Sequence, residues 1–161
     1  MPNTTLDPTT FRASLARFAS GVTIVTARGQ DGHDYGMTVS AFSSLSLHPP
    51  MILVCIDNGA SVAPVLEHCE HFAVNILAEG QEALSRQFAE RERDRFDGVE
   101  ITRGETGVAL LGGTLASLEC TVVTRHPAGD HTILVAEVRG AELRAGDPLL
   151  YYRGAYRRLG Y

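Results

Sequence analysis

The sequence predicts a mainly β protein, organised as an antiparallel barrel with peripheral helices. Most apolar segments are short, rich in β-branched residues and bounded by Gly, Pro or Asp, which is typical of strands. Most successive strands are separated only by turns, and helical spacing is confined to a few longer connections. This order differs from the regular strand–helix alternation that produces parallel sheets.

The first half of the chain is predicted to form a helix, a hairpin and two further strands. Asp7-Pro8 is a helix-start signal, Asp31-Gly32 is a hairpin turn, and Ser61 is a plausible N-cap. His48-Pro49-Pro50 interrupts the chain before the predicted strand at 51–57. The predicted elements of this half are a helix at 7–19, strands at 21–28, 35–42, 51–57 and 71–77, and a short helix at 61–68.

The second half is predicted to begin with a helix over 79–93, because Ala83, Leu84, Gln87 and Phe88 have helical spacing. A Gly-rich, irregular stretch follows. The remaining predicted elements are long strands at 115–125 and 132–143, and two short strands within 148–159 around Arg153-Gly154. We expect one domain over 1–161, with 1–10 as a flexible N-terminal arm.

Composition excludes several classes of protein. The 161 residues carry a net charge of -5, so neither nucleic acid nor an anionic membrane is an expected partner. Three cysteines and scattered histidines favour neither a disulfide framework nor a metal site. Without an apolar leader or a run long enough to span a bilayer, a cytoplasmic protein is expected. The arginines over 86–95 alternate with acidic residues, which is typical of a solvated face.

Segment 36–50 (GMTVSAFSSLSLHPP) is rich in small hydroxyl residues, which fall in one predicted strand and the loop after it. Small side chains let a flat ligand approach the backbone, where hydroxyl and N–H groups donate to ring carbonyls and nitrogens. A barrel strand with a polar outer face explains the same pattern, so the residues alone leave both interpretations open.

Two other positions suit ligand binding, each with a simpler structural explanation. His131, in Gly129-Asp130-His131, lies at the mouth of a predicted hairpin and suits substrate binding or proton handling, or is a turn histidine. Asp57 ends a buried strand before a predicted helix, where anions bind backbone N–H groups, or where a helix is simply capped. The sequence contains no dinucleotide-binding or phosphate-binding glycine motif.

Eight short motifs nevertheless occur in a specific order. They are 18–26 (FASGVTIVT), 36–46 (GMTVSAFSSLS), 48–50 (HPP), 72–77 (FAVNIL), 87–89 (QFA), Arg95-Phe96, Gly129-Asp130-His131 and 148–152 (PLLYY). Together they resemble the short-chain flavin reductase family, whose members are the reductase partners of two-component flavin-dependent monooxygenases. The resemblance extends from Phe11 to Leu159.

The resemblance implies a split antiparallel β-barrel of the FMN-binding type that forms a homodimer. It implies an NAD(P)H-dependent flavin reductase that transfers hydride from NADH or NADPH to FMN or FAD. The reduced flavin would then serve a separate, transiently associated oxygenase.

The resemblance also implies roles for individual residues. His131 would be the catalytic residue, beside the nicotinamide, with Arg95, Phe96 and Tyr156 as further contacts for the pyridine nucleotide. The flavin-binding residues would be Thr38, Val39, Ser40, Ala41, Ser46, Leu47, Cys55, Ile56, Asp57, Ser61, Ser85 and Phe88. Family members often have a basic residue in the loop after the third strand, whereas 57–66 contains none. The flavin phosphate would then rely on Ser61, backbone N–H groups and a distant arginine such as Arg86.

Two other functions stay open from the sequence. One is a protein that retains its flavin and passes electrons to another acceptor. The other is a non-catalytic flavin- or haem-binding module, since one fold supports several functions. A structural domain that binds no ligand is a further interpretation. The choice between FMN and FAD, and between NADH and NADPH, also stays open.

Overall fold

The structure, a computed structural model, describes residues 5–91 and 94–160. In chain order its elements are α1 (Pro8–Leu15), β1 (Ser20–Gly21), β2 (Thr23–Arg28), β3 (Asp34–Val39), β4 (Phe42–Leu47), β5 (Pro50–Asp57), α2 (Ala63–His68), β6 (His71–Ile76), a 3-10 turn (Glu79–Gln81), α3 (Glu82–Ala89), β7 (Ile101–Arg103), β8 (Ala109–Leu111), β9 (Ala116–Ala128), β10 (His131–Leu143), β11 (Leu150–Tyr152) and β12 (Ala155–Arg157). The predicted mainly β, antiparallel fold is confirmed.

The main sheet has seven strands in the order β3-β2-β6-β9-β10-β5-β4. Its two edge strands, β3 and β4, are consecutive in the chain and are joined only by Ser40 and Ala41. A flat sheet of this width would place them about 29 Å apart. The link from Val39 to Phe42 spans at most about 11 Å. The sheet must therefore curl until its edges meet, which produces a barrel split at the β3–β4 bend.

The interior of this curled sheet is one apolar core. Val39 of β3, Val25 of β2, Val54 of β5 and Leu134 of β10 are all buried in the same cluster, although β3 and β5 lie near opposite edges of the sheet. Cys120 belongs to this core, and burial raises the pKa of its thiol to about 12. The thiol therefore stays protonated at neutral pH.

A buried amide fastens the β7–β8 hairpin to the main sheet. The Asn75 side chain donates to the Ile24 carbonyl (3.0 Å) and accepts from the Leu111 N–H (2.9 Å) and the Ser117 hydroxyl (3.1 Å). These bonds join β2, β6, β8 and β9 through one fully buried side chain. Its hydrogen-bonding groups are satisfied, so its burial does not carry the cost of an unpaired polar group.

Several predicted elements differ from the structure. Residues 43–47, expected as a loop after the predicted strand at 35–42, belong to β4, because they pair with β5 through backbone groups. The Gly-rich stretch contains the β7–β8 hairpin, whose turn includes Gly107 at φ 82°. These strands have only three residues each, too few to show a periodic pattern.

The helices are shorter than predicted. α1 ends at Leu15 rather than near Ala19, and the Arg153 N–H donates to the Ala16 carbonyl just after it (3.0 Å). Ser61 is not an N-cap, since α2 begins at Ala63 after Val62, with Pro64 in its first turn.

Some predictions fall partly outside the structure. The predicted helix over 79–93 is a 3-10 turn followed by α3, which ends at Ala89, and residues 92 and 93 lie outside the described residues. So do the first four residues of the predicted N-terminal arm. Within the described part of the chain, no helix is both long and apolar enough to cross a bilayer.

Glu119 of β9 is a buried carboxylate that holds the β7–β8 turn. It accepts hydrogen bonds from the Glu105 N–H (3.1 Å), the Thr106 N–H (3.0 Å) and the Thr106 hydroxyl (2.7 Å). Burial by itself would raise its pKa. The bonds from Thr106 and Glu105 outweigh burial and hold the pKa of Glu119 below its ordinary value.

We expect Glu119→Gln to lower the free energy of unfolding at neutral pH by about 1–3 kcal/mol, because an amide cannot accept all these hydrogen bonds. The folded-state pKa is lowered, so the stabilisation is present above the ordinary value of 4.5 and is lost as the pH falls through the folded-state pKa. The difference in the free energy of unfolding between wild type and variant should therefore become smaller in acid.

Urea unfolding over a series of pH values measures this difference. Glu105→Gln, an exposed glutamate in the same turn, is the control. A stability difference that does not change with pH would contradict the prediction.

Candidate active site

The β3–β4 bend is a strip of exposed backbone held from both sides. The Thr38 hydroxyl donates to the Ser85 carbonyl (2.6 Å), and the Thr23 hydroxyl donates to the Val39 carbonyl (2.5 Å). Beyond the bend, the Cys55 N–H donates to the Ala41 carbonyl (3.0 Å). Ser40 and Ala41 themselves are exposed. Small exposed residues on a fixed backbone form a surface that a flat ring can approach closely.

The ends of β5 and β10 lie beside this bend. Val54 and Ile56 point into the core, so the alternation of a strand places Cys55 and Asp57 on its outer face. Cys55 is therefore not a core residue, although it lies in an apolar run of the sequence. His131 is directly opposite Asp57 in the antiparallel register. Two distant segments of sequence thus meet at one end of the sheet.

His131 is oriented by the residue before it. Its Nδ1 lies 2.7 Å from Asp130 Oδ1, and this bond holds the pKa of Asp130 below its ordinary value. An ionised carboxylate can only accept a hydrogen bond, so Nδ1 must carry the proton. The Nε2 of neutral His131 is therefore an acceptor.

Helix α3 lies on the other side of the bend. The Ser85 hydroxyl is 2.7 Å from the Tyr156 hydroxyl, and the Arg86 guanidinium lies 4.9 Å from the centre of the Tyr156 ring. Phe88 is fully buried and packs edge-on against Phe96, with ring centres 5.0 Å apart. These contacts connect Tyr156 of the C-terminal hairpin to Thr38 through Ser85.

The remaining predicted site residues differ in whether they are exposed or buried. Ser46 and Leu47 are exposed on β4, and Ser61 is exposed just before α2. Arg95 follows α3 and donates to the Gly36 carbonyl (2.7 Å). Four of the residues predicted to bind flavin have buried side chains, namely Val39, Ile56, Ser85 and Phe88.

Residues 15–160 match the family model described as flavin reductase like domain. The chain belongs to the flavin reductase like domain family. The resemblance seen in the sequence motifs is therefore confirmed, and it extends over almost the whole chain.

Relatives of known function are similar over nearly their full lengths. The reductase component of 4-hydroxyphenylacetate 3-monooxygenase from Thermus thermophilus is 44% identical, over 92% of this chain and 95% of that protein. The FMN reductase (NADH) SmoA from Agrobacterium fabrum is 42% identical, over 92% of this chain and 84% of that protein.

A solved structure agrees in fold. The NADH:FAD oxidoreductase SgcE6 of Streptomyces globisporus, in complex with NAD and FAD fragments, superposes with a TM-score of 0.91 at 37% identity. The alignment covers 96% of this chain and 93% of SgcE6. The predicted split barrel is confirmed by this similarity together with the strand order.

The residues at the bend of this flavin reductase like domain fit a flavin. Isoalloxazine is a flat ring whose edge carries carbonyl oxygens and ring nitrogens. The bend offers small side chains at Ser40 and Ala41, with the exposed Ser46 on the neighbouring strand. Hydroxyl and backbone N–H donors are suitable partners for these ring atoms. The roles of the individual residues stay predictions.

Three residues that position the site, Asp130, Asn58 and Thr23, were assigned no such role from the sequence. Asp130 orients His131, and its carbonyl accepts from the Asn58 N–H (3.0 Å). The Asn58 side chain in turn accepts from the Thr132 hydroxyl (2.8 Å). Thr23 fixes the end of β3. The adjacency of Asp130 and His131 was the only signal available in the sequence, because the other contacts depend on register.

A separate cavity of about 450 Å³ lies between α2 and the core-facing side of β5 and β10. Arg125 lines it and donates to the Leu66 carbonyl (3.0 Å) and the Cys69 carbonyl (2.5 Å) at the end of α2. Ile56 and Leu134 form its apolar floor. Because Ile56 and Leu134 on the core-facing side of the two strands line it, the cavity is distinct from the outer face that carries His131.

Gly36 sets the distance between β3 and α3, so its replacement tests the geometry. A Cβ at this position would lie 2.8 Å from Phe88 Cε1 and 3.1 Å from the Val25 carbonyl oxygen. We expect Gly36→Ala to lower the free energy of unfolding by about 1–3 kcal/mol through overpacking.

Gly80→Ala is the matched control, because nothing lies within 4 Å of its added Cβ. Chemical denaturation of both variants measures the effect. Equal stability of the two variants would show that α3 does not pack on β3 as described.

Proposed function

We propose that this protein transfers hydride from NADH to a flavin and delivers the reduced flavin to a separate monooxygenase. The observation that carries the proposal is the meeting of the β3–β4 bend, the outer end of β5 and His131 at one end of the sheet. Relatives named as NADH-dependent flavin reductases support it. Relatives that are reductase components of two-component monooxygenases support a separate oxygenase as partner.

A bound flavin would supply the redox chemistry by accepting hydride from the nicotinamide. The protein would bind and align the two ring systems. Ser40 and Ala41 would provide close backbone approach, and Thr38 and Ser85 would hold that backbone against α3. His131, with Nε2 as an acceptor, would bind the carboxamide N–H of the nicotinamide. In general, alignment of this kind lowers the activation free energy of a reaction by about several kcal/mol.

The first experiment is an NADH oxidation assay under air, with FMN, FAD or no added flavin. The proposal predicts rapid loss of the nicotinamide absorbance only when flavin is added, because the flavin acts as a diffusible substrate. Oxidation that needs no added flavin would indicate a retained flavin instead. Intact NADH and NADPH with every flavin would overturn the reductase proposal.

His131 and Asp130 can be tested as a pair. We expect His131→Ala to lower kcat/KM for NADH at least several-fold, and Asp130→Ala to lower it less. Because Asp130 acts through His131, the double variant should be no worse than His131→Ala alone.

His33→Ala is the matched control, since His33 is exposed and also lies near a carboxylate, with Nδ1 3.4 Å from Asp31 Oδ2. Fully additive losses in the double variant would contradict the positioning role of Asp130.

We propose further that the protein forms a homodimer, in which each subunit covers apolar side chains that are exposed in the single chain. Leu47 on the edge strand β4 is 75% exposed and Phe18 is 83% exposed. All residues of α1 are exposed, including Phe11 and Leu15. Exposed apolar side chains on an unpaired edge strand are typical of an interface. Strand β4 begins directly after the bend, so a partner that covers β4 would lie beside the flavin site.

We expect Leu47→Asp to dissociate the dimer and to weaken flavin reduction, while the single chain stays folded. Analytical ultracentrifugation gives the mass, and circular dichroism checks the fold. Leu143→Asp, a leucine with 78% exposure at the far end of β10, is the matched control. A Leu47→Asp protein that sediments like wild type would show that β4 is outside the interface.

A further inference from the structure

The cavity between α2 and the core-facing side of β5 and β10 is separate from the candidate active site. Its volume of about 450 Å³ lies within the range of about 300–1,000 Å³ that is typical of small-molecule sites. Ile56, Leu66 and Leu134 form its apolar floor, and all three are buried in the main core. Arg125 lines the wall. The cavity thus combines an apolar interior with a cation.

Arg125 is only partly engaged by the protein. Its Nε donates to the Leu66 carbonyl (3.0 Å) and its Nη2 donates to the Cys69 carbonyl (2.5 Å), so both partners are neutral. A guanidinium has five N–H donors, and these bonds use two of them. Within the described part of the chain, no carboxylate forms an ion pair with Arg125. The positive charge that it brings to the cavity is therefore not neutralised there.

Asn58 supplies a second donor to the same cavity. Asn58 and Thr132 both line it, and the Thr132 hydroxyl donates to Asn58 Oδ1 (2.8 Å). That bond occupies the amide oxygen, while the amide NH2 group has no partner among the residues that the structure describes. A carboxylate suits a guanidinium and an amide NH2 together, because its two oxygens only accept hydrogen bonds.

Glu67 limits the charge that a ligand can carry. It is the acidic residue that lines the cavity, it is exposed, and it forms no ion pair with another described residue. A second negative charge on the ligand would be repelled by Glu67. The cavity therefore favours a single carboxylate on an apolar body over a phosphate or a dicarboxylate.

The polar residues of the cavity also connect it to His131. The Asn58 N–H donates to the Asp130 carbonyl (3.0 Å), and the Asp130 carboxylate orients His131 (2.7 Å). Thr132 follows His131 in β10, so the two side chains point to opposite faces of the sheet. A ligand that binds Asn58 and Thr132 from the core side would therefore affect the position of His131 without contacting the ring-binding surface.

We propose that this cavity is an effector site for a small monocarboxylic acid with an aromatic or branched apolar body. The carboxylate binds Arg125 and Asn58, and the apolar body packs on Ile56, Leu66 and Leu134. Occupancy changes KM for NADH through the β9–β10 turn. The effector role rests on the proposed reductase function, whereas binding of the acid does not.

Isothermal titration calorimetry of the full chain, without flavin or NADH, tests the site. Phenylacetate should bind once per chain. Phenylacetamide, which has a similar shape and no charge, and acetate, which has no ring, should bind at least several-fold more weakly. Added FMN should not displace phenylacetate. Absence of phenylacetate binding, equal affinities for phenylacetate and phenylacetamide, or displacement by FMN would overturn the proposal.

Two variants with opposite expected effects separate binding from loss of fold. Glu67→Gln removes the like charge and should strengthen phenylacetate binding several-fold. Glu142→Gln, an exposed glutamate on β10, is the charge-matched control and should leave binding unchanged. Ala63→Leu should fill the cavity and abolish binding, with an unchanged circular dichroism spectrum. Equal effects of the two glutamate variants, or full binding by Ala63→Leu, would contradict the location of the site.

Steady-state kinetics test the effector role. Saturating phenylacetate should change KM for NADH several-fold in wild type, whereas Ala63→Leu should keep the basal KM and lose the response. Binding of phenylacetate with unchanged KM and kcat would overturn the effector role. Failure of the reductase proposal gives a different result, since calorimetry would then detect the acid in a protein that does not oxidise NADH.

Discussion

The two-residue link between β3 and β4 is the constraint on which the rest of the structure depends. Because Ser40 and Ala41 join opposite edges of a seven-stranded sheet, the sheet has to curl. Curling brings Val39 and Val54 into one core. The same link exposes a short stretch of backbone at the bend, since residues that turn between two edges cannot remain in a regular ladder. The core and the candidate site therefore have one origin.

The sequence predicts the long apolar strands and misses β4 and the β7–β8 hairpin. The runs at 23–28, 50–57 and 131–143 carry β-branched residues whose pattern is local, and their boundaries agree with the structure within a few residues. β4 was missed because its serines are loop-forming by composition, and its strand conformation is imposed by pairing with β5. The β7–β8 hairpin was missed because Asn75 and Glu119, which hold it, are distant in sequence.

The same limit applies to the site. Segment 36–46 and Gly129-Asp130-His131 could be identified as motifs, and the family follows from their order. Their proximity could not be derived, because the pairing of His131 with Asp57 depends on the register of β10 against β5. The burial of Phe88 is likewise a property of packing, since its helical spacing is compatible with a buried or a ligand-facing side chain. Motifs therefore indicate the chemistry of the site, and the topology determines which side chains lie at the site.

Helix α3 and the segment after it hold β3 next to the proposed site. Its Ser85 carbonyl accepts from Thr38, next to the bend, while Arg95 just beyond it binds the carbonyl of Gly36. Both contacts fall on β3, two residues apart, and the close approach of Phe88 to Gly36 sets the spacing between helix and strand. A shift of α3 would therefore move β3 and the exposed backbone of the bend that follows it. The alignment of a flavin ring at the bend is thus tied to the packing of α3, through a glycine whose added Cβ would lie 2.8 Å from Phe88 Cε1.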